Sequence, residues 1–232
     1  MIKIRHAKES DEKRWDAYVN KHSMRSPYHL FSWKKAIKDA YQHDDNYLLA
    51  EENGNILGIF PLIIFSPPLG KKSLCALPFC DIGGILADND DVARSLMEKS
   101  KEVASQCKAS AIEIRSTLDS QPAEKPEDII QNGEKVRMLM SLPDSSKALF
   151  SSFKSKLRSQ IRKAEKNGLH YELGSKASML DDFYQVFAHN MKALGSPVHA
   201  KKWFMALLRH YQDNMLISIV YKDKLAIGAG IV

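Results

Sequence analysis

Two stretches of this chain, well separated in sequence, carry the same pattern: an apolar strand, a polar tight turn, then an apolar strand with a glycine soon after its start. The first is Tyr47-Leu-Leu-Ala-Glu-Glu-Asn-Gly-Asn-Ile-Leu-Gly-Ile-Phe60 and the second is Ile217-Ser-Ile-Val-Tyr-Lys-Asp-Lys-Leu-Ala-Ile-Gly-Ala-Gly230. Asn53-Gly54 occupies the first turn, where a two-residue hairpin needs positive φ at both positions, and both residues accept it. A pair of helices precedes each hairpin. The separation is too long for a solenoid, which points to two copies of one domain.

The remaining periodicity fills in those copies as an α/β chain of the α+β kind, with domains over 1–134 and 135–232. In the first, Ile2–Arg5 is a strand, and Asp11–His22 and Ser32–Tyr41 are helices, with Ser32 as N-cap of the second. After the hairpin come a strand over Lys72–Leu77, a loop over Pro78–Gly84, a helix over Asp91–Gln106 and a strand over Ala111–Arg115. Residues 119–134, rich in Pro and polar side chains, read as a surface excursion. In the second, Val136–Leu142 is strand-like, and Asp144 caps a short helix holding Leu149 and Phe150. A basic helix over Phe153–Asn167 ends at Gly168, a good residue for a left-handed helix terminus. Next are a strand over His170–Leu173, helices over Leu180–Leu194 and Lys201–Tyr211, and strands over Leu216–Tyr221 and Leu225–Val232. The strand, loop, helix and strand that come after the first hairpin have no counterpart after the second. Its apolar last strand would be an exposed edge, an aggregation hazard. The second domain is therefore expected to be incomplete. The alternative is that the strand is a true end and pairs as an edge or with another subunit.

Composition excludes little. With 44% hydrophobic and 27% charged residues and a net charge of +6, the 232-residue chain is too mildly basic to argue nucleic-acid binding by charge alone. The longest apolar run, Ile56–Phe65, is broken by Gly58 and Pro61 and is far short of the roughly 20 residues of a membrane helix. Cys75, Cys80 and Cys107 form no even disulfide framework and no CxxC pair, so reduced thiols in a cytoplasmic protein are expected, with no metal site.

The basic helix is the strongest candidate site. Lys154, Lys156, Arg158, Arg162, Lys163 and Lys166 stand against Glu165. Phe153, Leu157, Ile161 and Ala164 recur at helical spacing, so one face is expected to be buried. Arg158 and Arg162, four residues apart, project from one side. Guanidinium groups hold phosphate or carboxylate bidentately, which suits a diphosphate-linked sugar or an RNA backbone. The competing reading is a solvated amphipathic helix. No aromatic is interleaved among the exposed cations, which counts against RNA.

Three further places offer chemistry. In Pro78–Gly84, Asp81 lies beside Gly83 and Gly84. The glycines admit a close neighbour and Asp81 offers an acceptor for a sugar hydroxyl or an amine, or the segment is an ordinary turn. Ser196-Pro197 follows a helix end, and His199 is the one candidate general base, against a cap or surface role. Trp33, with Tyr28 and Phe31, either lines a groove for a sugar or peptide or belongs to the core. No Ser-His-Asp order or Cys-His pair is present, so a covalent intermediate is not expected.

Five stretches give the chain a resemblance to the FemAB-like branch of the GNAT acyltransferases, in particular those associated with exosortase (PEP-CTERM) and exopolysaccharide systems. They are Pro27–Trp33, Gly58–Leu62, Leu77–Gly84, Leu157–Gly168 and Met191–Val198, in that order. The resemblance implies tandem GNAT-like domains, each a mixed, mainly antiparallel sheet flanked by helices. It implies acyl or aminoacyl transfer onto a cell-envelope precursor, such as a peptidoglycan precursor, or onto an exopolysaccharide. The donor would be acyl-CoA or aminoacyl-tRNA, with no tightly bound cofactor, and attack on the donor would be direct, driven by orientation and oxyanion stabilisation. A non-catalytic module that binds an anionic glycan or lipid-linked precursor is the alternative.

Overall fold

The computed structural model describes residues 1–67, 69–115, 130 and 138–232. It divides into two compact units. One comprises Met1–Ala123 with Ala200–Gln212, the other Glu124–His199 with Asp213–Val232. The helix Lys201–Tyr211 thus groups with the first unit, although its place in the chain assigns it to the second domain.

In the first unit, β1 (Lys3–His6), β2 (Leu48–Glu52), β3 (Asn55–Phe60) and β6 (Leu86–Ala87) form an antiparallel sheet in the order β1-β2-β3-β6. The expected turn joins β2 to β3, with φ of 49° at Asn53 and 81° at Gly54. Pro61, which has no N–H for a ladder, separates β3 from β4 (Leu62–Phe65). β4 pairs with β5 (Ser73–Ala76), and β5 pairs in parallel with β7 (Ile112–Glu113). The helix α3 (Asp90–Cys107) lays Val92, Leu96 and Val103 against Leu48, Ala50, Phe60 and Leu74. Gly58 is where that helix comes closest, since a Cβ there would stand 2.7 Å from Val92 Cγ1 and 3.0 Å from Leu96 Cδ1.

The helices α1 (Glu12–Lys21) and α2 (Phe31–Tyr41) bury Trp15, Phe31, Ile37 and Ala40. Ser32 is not the N-cap of α2. The helix starts one residue earlier, and its Phe31 N–H is met by Asp16 Oδ1 at 2.8 Å, so the Ser32 hydroxyl donates instead to His210 O at 2.9 Å.

The second unit holds α4 (Ser146–Ser152), α5 (Ser155–Lys166) and α6 (Met179–Ala193), with an antiparallel sheet of β8 (Leu169–Gly174), β9 (Ile217–Lys222) and β10 (Leu225–Ile231) in the order β10-β9-β8. Met179, Leu180 and Phe183 of α6, Met215, and Ile217 and Ile219 of β9 are its buried residues among those described. Ser145, not Asp144, caps α4, accepting from Ala148 N–H at 3.2 Å. The strand expected over Val136–Leu142 does not form where it is described: residues 138–142 are exposed and unpaired, and 136–137 lie outside the described residues. The excursion over 119–134 also lies outside them, residue 130 excepted. The apolar side of α5 is only half-buried at Phe153, Ile161 and Ala164 and is exposed at Leu157, because the helix has β8 as its main neighbour.

The duplication goes further than the two hairpins. Strand, two helices and two strands recur in both copies as β1-α1-α2-β2-β3 and β8-α6-α7-β9-β10, where α7 is Lys201–Tyr211, and the three strands share one sheet order in each. At one constant offset of 170 residues, Ser26-Pro27, His29, Trp33, Ala36 and Tyr41-Gln42 match Ser196-Pro197, His199, Trp203, Ala206 and Tyr211-Gln212. Gln42 and Gln212 both end their helices at positive φ, 59° and 49°. Within the first unit, α2 and α7 face each other through these matched residues. The Trp33 and Trp203 rings meet edge-on at 5.0 Å, and Trp33–Tyr211 at 6.4 Å mirrors Trp203–Tyr41 at 5.8 Å.

Candidate functional site

The helix α5 carries Lys156, Arg158, Arg162, Lys163 and Lys166 against a single carboxylate, Glu165. Ser155, Arg158, Ser159, Arg162, Lys163 and Lys166 line an exposed furrow of about 370 Å³. Their spacing, i, i+3, i+4, i+7, i+8 and i+11, is that of a single helical stripe, about 16 Å long at 1.5 Å per residue. No carboxylate lines it. Cations in the last turn, Lys163 and Lys166, complement the helix dipole, whereas Lys154 at the N-cap opposes it, so helix stability does not account for the charge.

The two arginines differ from the lysines in being held. Arg158 donates from Nη1 to Ser151 O at 3.1 Å and to Phe153 O. Arg162 lies over the Phe150 ring, 5.4 Å from its centre. Lys154 is exposed and outside the furrow.

The other expected site residues fall elsewhere. Trp33 is a core residue, 5% exposed, with Nε1–H donating to Pro78 O at 3.1 Å, so it presents no open ring face for a ligand. Phe31 is fully buried. Asp81 is exposed, but Gly83 and Gly84 are buried. The close neighbour that Gly83 admits is its own chain: a Cβ there would meet Leu77 Cβ at 2.6 Å and Ala76 O at 2.7 Å. Gly83 exchanges backbone hydrogen bonds with Arg115 at 2.7 and 2.9 Å. Arg115 Nη1 also donates to Cys80 O at 3.2 Å, and the Cys80 thiol donates to Leu77 O at 2.9 Å. These bonds hold Leu77 and Phe79 at φ of 53° and 68°, a strained backbone for residues with side chains. Burial pushes the Cys80 thiol up to about 12, which makes it a poor nucleophile.

Ser196 is exposed after Gly195, which has φ of 66°. His199 is half-buried, its pKa is lowered by burial, and its carbonyl accepts from Tyr184 Oη at 3.1 Å. The repeat supplies a counterpart: His29, 2% exposed, accepts at its carbonyl from Trp15 Nε1 at 2.7 Å and shares a 2.7 Å hydrogen bond between Nδ1 and Ser26 Oγ. Burial lowers the His29 pKa to about 4. In the first copy the Ser-Pro-x-His segment leads into a helix. None of Asp81, Ser196 and His199 lines the furrow. The signal overlooked in the sequence was the segment repeat at constant offset, legible once the hairpins are aligned. Among the described residues no group of His, Cys, Asp or Glu is arranged to hold a metal ion, and no helix is long and apolar enough to cross a membrane.

No family model matches the chain, and no curated protein matches it. Its fold is similar to the crystal structure of FemX, with a TM-score of 0.64 at 17% identity over 94% of this chain and 57% of FemX. The chain therefore spans little more than half the length of that protein. An acetyltransferase from Trypanosoma brucei (TM-score 0.46, 14% identity, 60% of this chain, 100% of that one) and a ribosomal-protein-alanine N-acetyltransferase from Brucella melitensis (0.43, 13%, 61%, 99%) overlap only part of it. At these scores the two define no fold for the chain. The α/β class of mixed, mainly antiparallel sheets flanked by helices holds as expected, and the fold is FemX-like.

Proposed function

We propose that this chain is the substrate-recognising part of a FemX-like acyl- or aminoacyltransferase, and that the α5 furrow holds the phosphate-bearing portion of a cell-envelope or exopolysaccharide precursor. The observation that carries this reading is a stripe of Arg158, Arg162, Lys163 and Lys166 flanked by two serine hydroxyls, with no carboxylate among them. Arginines offer paired N–H donors to a phosphate, lysines add non-directional attraction, and the hydroxyls satisfy remaining oxygens. The donor would be acyl-CoA or aminoacyl-tRNA, the setting cytoplasmic, and the exosortase-associated branch a group of relatives. The FemX-like fold and the five resembling stretches support this.

A second reading, a non-catalytic module for an anionic glycan or lipid-linked precursor, is favoured by the absence of His199, Ser196 and Asp81 from the furrow. A partner chain pairing at β10 would stand between the two readings. Titrating a diphosphate-linked sugar into wild type and the Arg158→Ala/Arg162→Ala variant by calorimetry tests the shared element. Loss of a salt-sensitive affinity in the variant is expected, and undiminished affinity would overturn both readings. Transfer from either donor by the wild-type chain would favour the first.

A further inference from the structure

The furrow's arginines are held from behind by a helix that does not line the furrow. We propose that α4 is the positioning element of the anion site: its C-terminal carbonyls and Phe150 pre-aim Arg158 and Arg162, so that anion binding and the docking of α4 stabilise one another. This rests on the furrow being an anion site.

The geometry of Arg158 carries most of it. Both bonds to α4 and its exit, to Ser151 O and Phe153 O, leave from Nη1. The edge formed by Nε–H and Nη2–H is therefore left for a second acceptor, and no described residue takes it. That edge is the one Arg5 uses to fork onto Glu51, with Nε–Oε1 at 2.8 Å and Nη2–Oε2 at 3.3 Å, while its Nη1 and Nη2 serve Asp11. Arg158 is thus half of the same arrangement, with carbonyls in place of one carboxylate and an open fork in place of the other. A guanidinium already fixed on one side loses less freedom on binding an oxyanion, which is how preorganisation raises affinity.

Arg162 is steadied by a different contact, the Phe150 ring at 5.4 Å. Phe150 also packs on Phe153, ring centres 6.4 Å apart. The helix α4 has seven residues and none of them is buried. A helix well under about 12 residues is marginal in water on its own, so α4 depends on such contacts. Since the same two arginines serve α4 and the furrow, each interaction must strengthen the other reciprocally.

The test titrates inorganic pyrophosphate into wild type, Phe150→Ala and Arg158→Lys, with circular dichroism confirming helix content, and follows amide exchange over residues 146–152 with and without pyrophosphate. Phe150 carries no charge and lies outside the furrow. Its truncation is expected to weaken pyrophosphate about fivefold while leaving the salt dependence unchanged. Arg158→Lys keeps the charge and leaves Arg162 over Phe150 but lacks the fork, and is expected to lose about tenfold. Pyrophosphate should slow exchange across 146–152 in the wild type, an effect that a role in folding alone would not produce. Wild-type affinity in Phe150→Ala together with unchanged exchange would overturn the role of α4 and leave the furrow intact as an anion site. No binding of pyrophosphate by the wild type would remove the furrow reading, and this inference with it.

Discussion

The two copies of the repeat have the same plan and opposite commitments. In the first, the glycine of the hairpin's second strand, Gly58, is sealed by Val92 and Leu96 of α3, and the histidine ahead of α2, His29, is 2% exposed. In the second, the matching Gly228 meets only Val220, at 3.6 Å, and the matching His199 is half-buried. Charge follows the same division. Arg5 in the first unit is fully spent between Asp11 and Glu51. Arg158 in the second keeps an open edge. The difference teaches that the first copy has closed packing around these positions, whereas the second leaves the matching ones open.

The sharpest way to break that comparison is to attack the first unit, where α2 of one copy and α7 of the other meet through matched residues. Trp33→Ala or Trp203→Ala should each cost about 3–5 kcal/mol of stability. Because the two rings touch at 5.0 Å, the double variant should cost less than the sum. The chain's tryptophans, Trp15, Trp33 and Trp203, all lie in the first unit, so fluorescence-detected urea unfolding of single-Trp variants reports that unit.

Acid should separate the two histidines. Burial lowers His29 from 6.5 to about 4. Between those values the unfolded chain binds a proton that the folded chain refuses. The first unit's stability should therefore be full above pH 6.5 and fall by roughly 3 kcal/mol as pH drops toward 4. Unfolding of His29→Gln should lose most of that pH dependence. His199, lowered by burial in the same direction but less enclosed, should contribute a shallower slope of the same sign.

Side chains added at the matched glycines give a smaller contrast. Gly58→Val should destabilise by about 1–3 kcal/mol, because the new methyls enter space held by Val92 and Leu96. Gly228→Val, facing ordinary contact distance, should stay within about 1 kcal/mol of wild type. Equal costs at the two positions would mean that the copies are packed alike. Smallest of all should be the effect of Arg158→Ala/Arg162→Ala on tryptophan-detected unfolding, within about 0.5 kcal/mol, since both side chains are in the other unit.

How much of this was legible in the sequence depends on how local its cause is. Asn53-Gly54 announced its hairpin because two positive-φ residues decide a turn by themselves. The sign and spacing of Arg158, Arg162 and Lys163 announced a charged stripe, since helical periodicity places them without help from the rest of the fold. Ser32 misled because its N-cap role was taken by Asp16, a residue from the preceding helix. Gly83 and Gly84 suggested an approaching ligand, and the groups that approach Gly83 are the Arg115 backbone, the Leu77 side chain and the Ala76 carbonyl. The hold of α4 on Arg158 was also hidden, because a guanidinium's acceptors are set by how a short helix folds back rather than by composition.

The central claim is that the proposed anion site belongs to the unit containing α5 and not to the Asp81 loop of the first unit. Amide hydrogen exchange of the wild-type chain, with and without a saturating diphosphate-linked sugar, tests it most directly. Slower exchange confined to residues 146–166, with 77–84 unchanged, is the predicted result. Slower exchange at 77–84 with none at 146–166 would contradict the account.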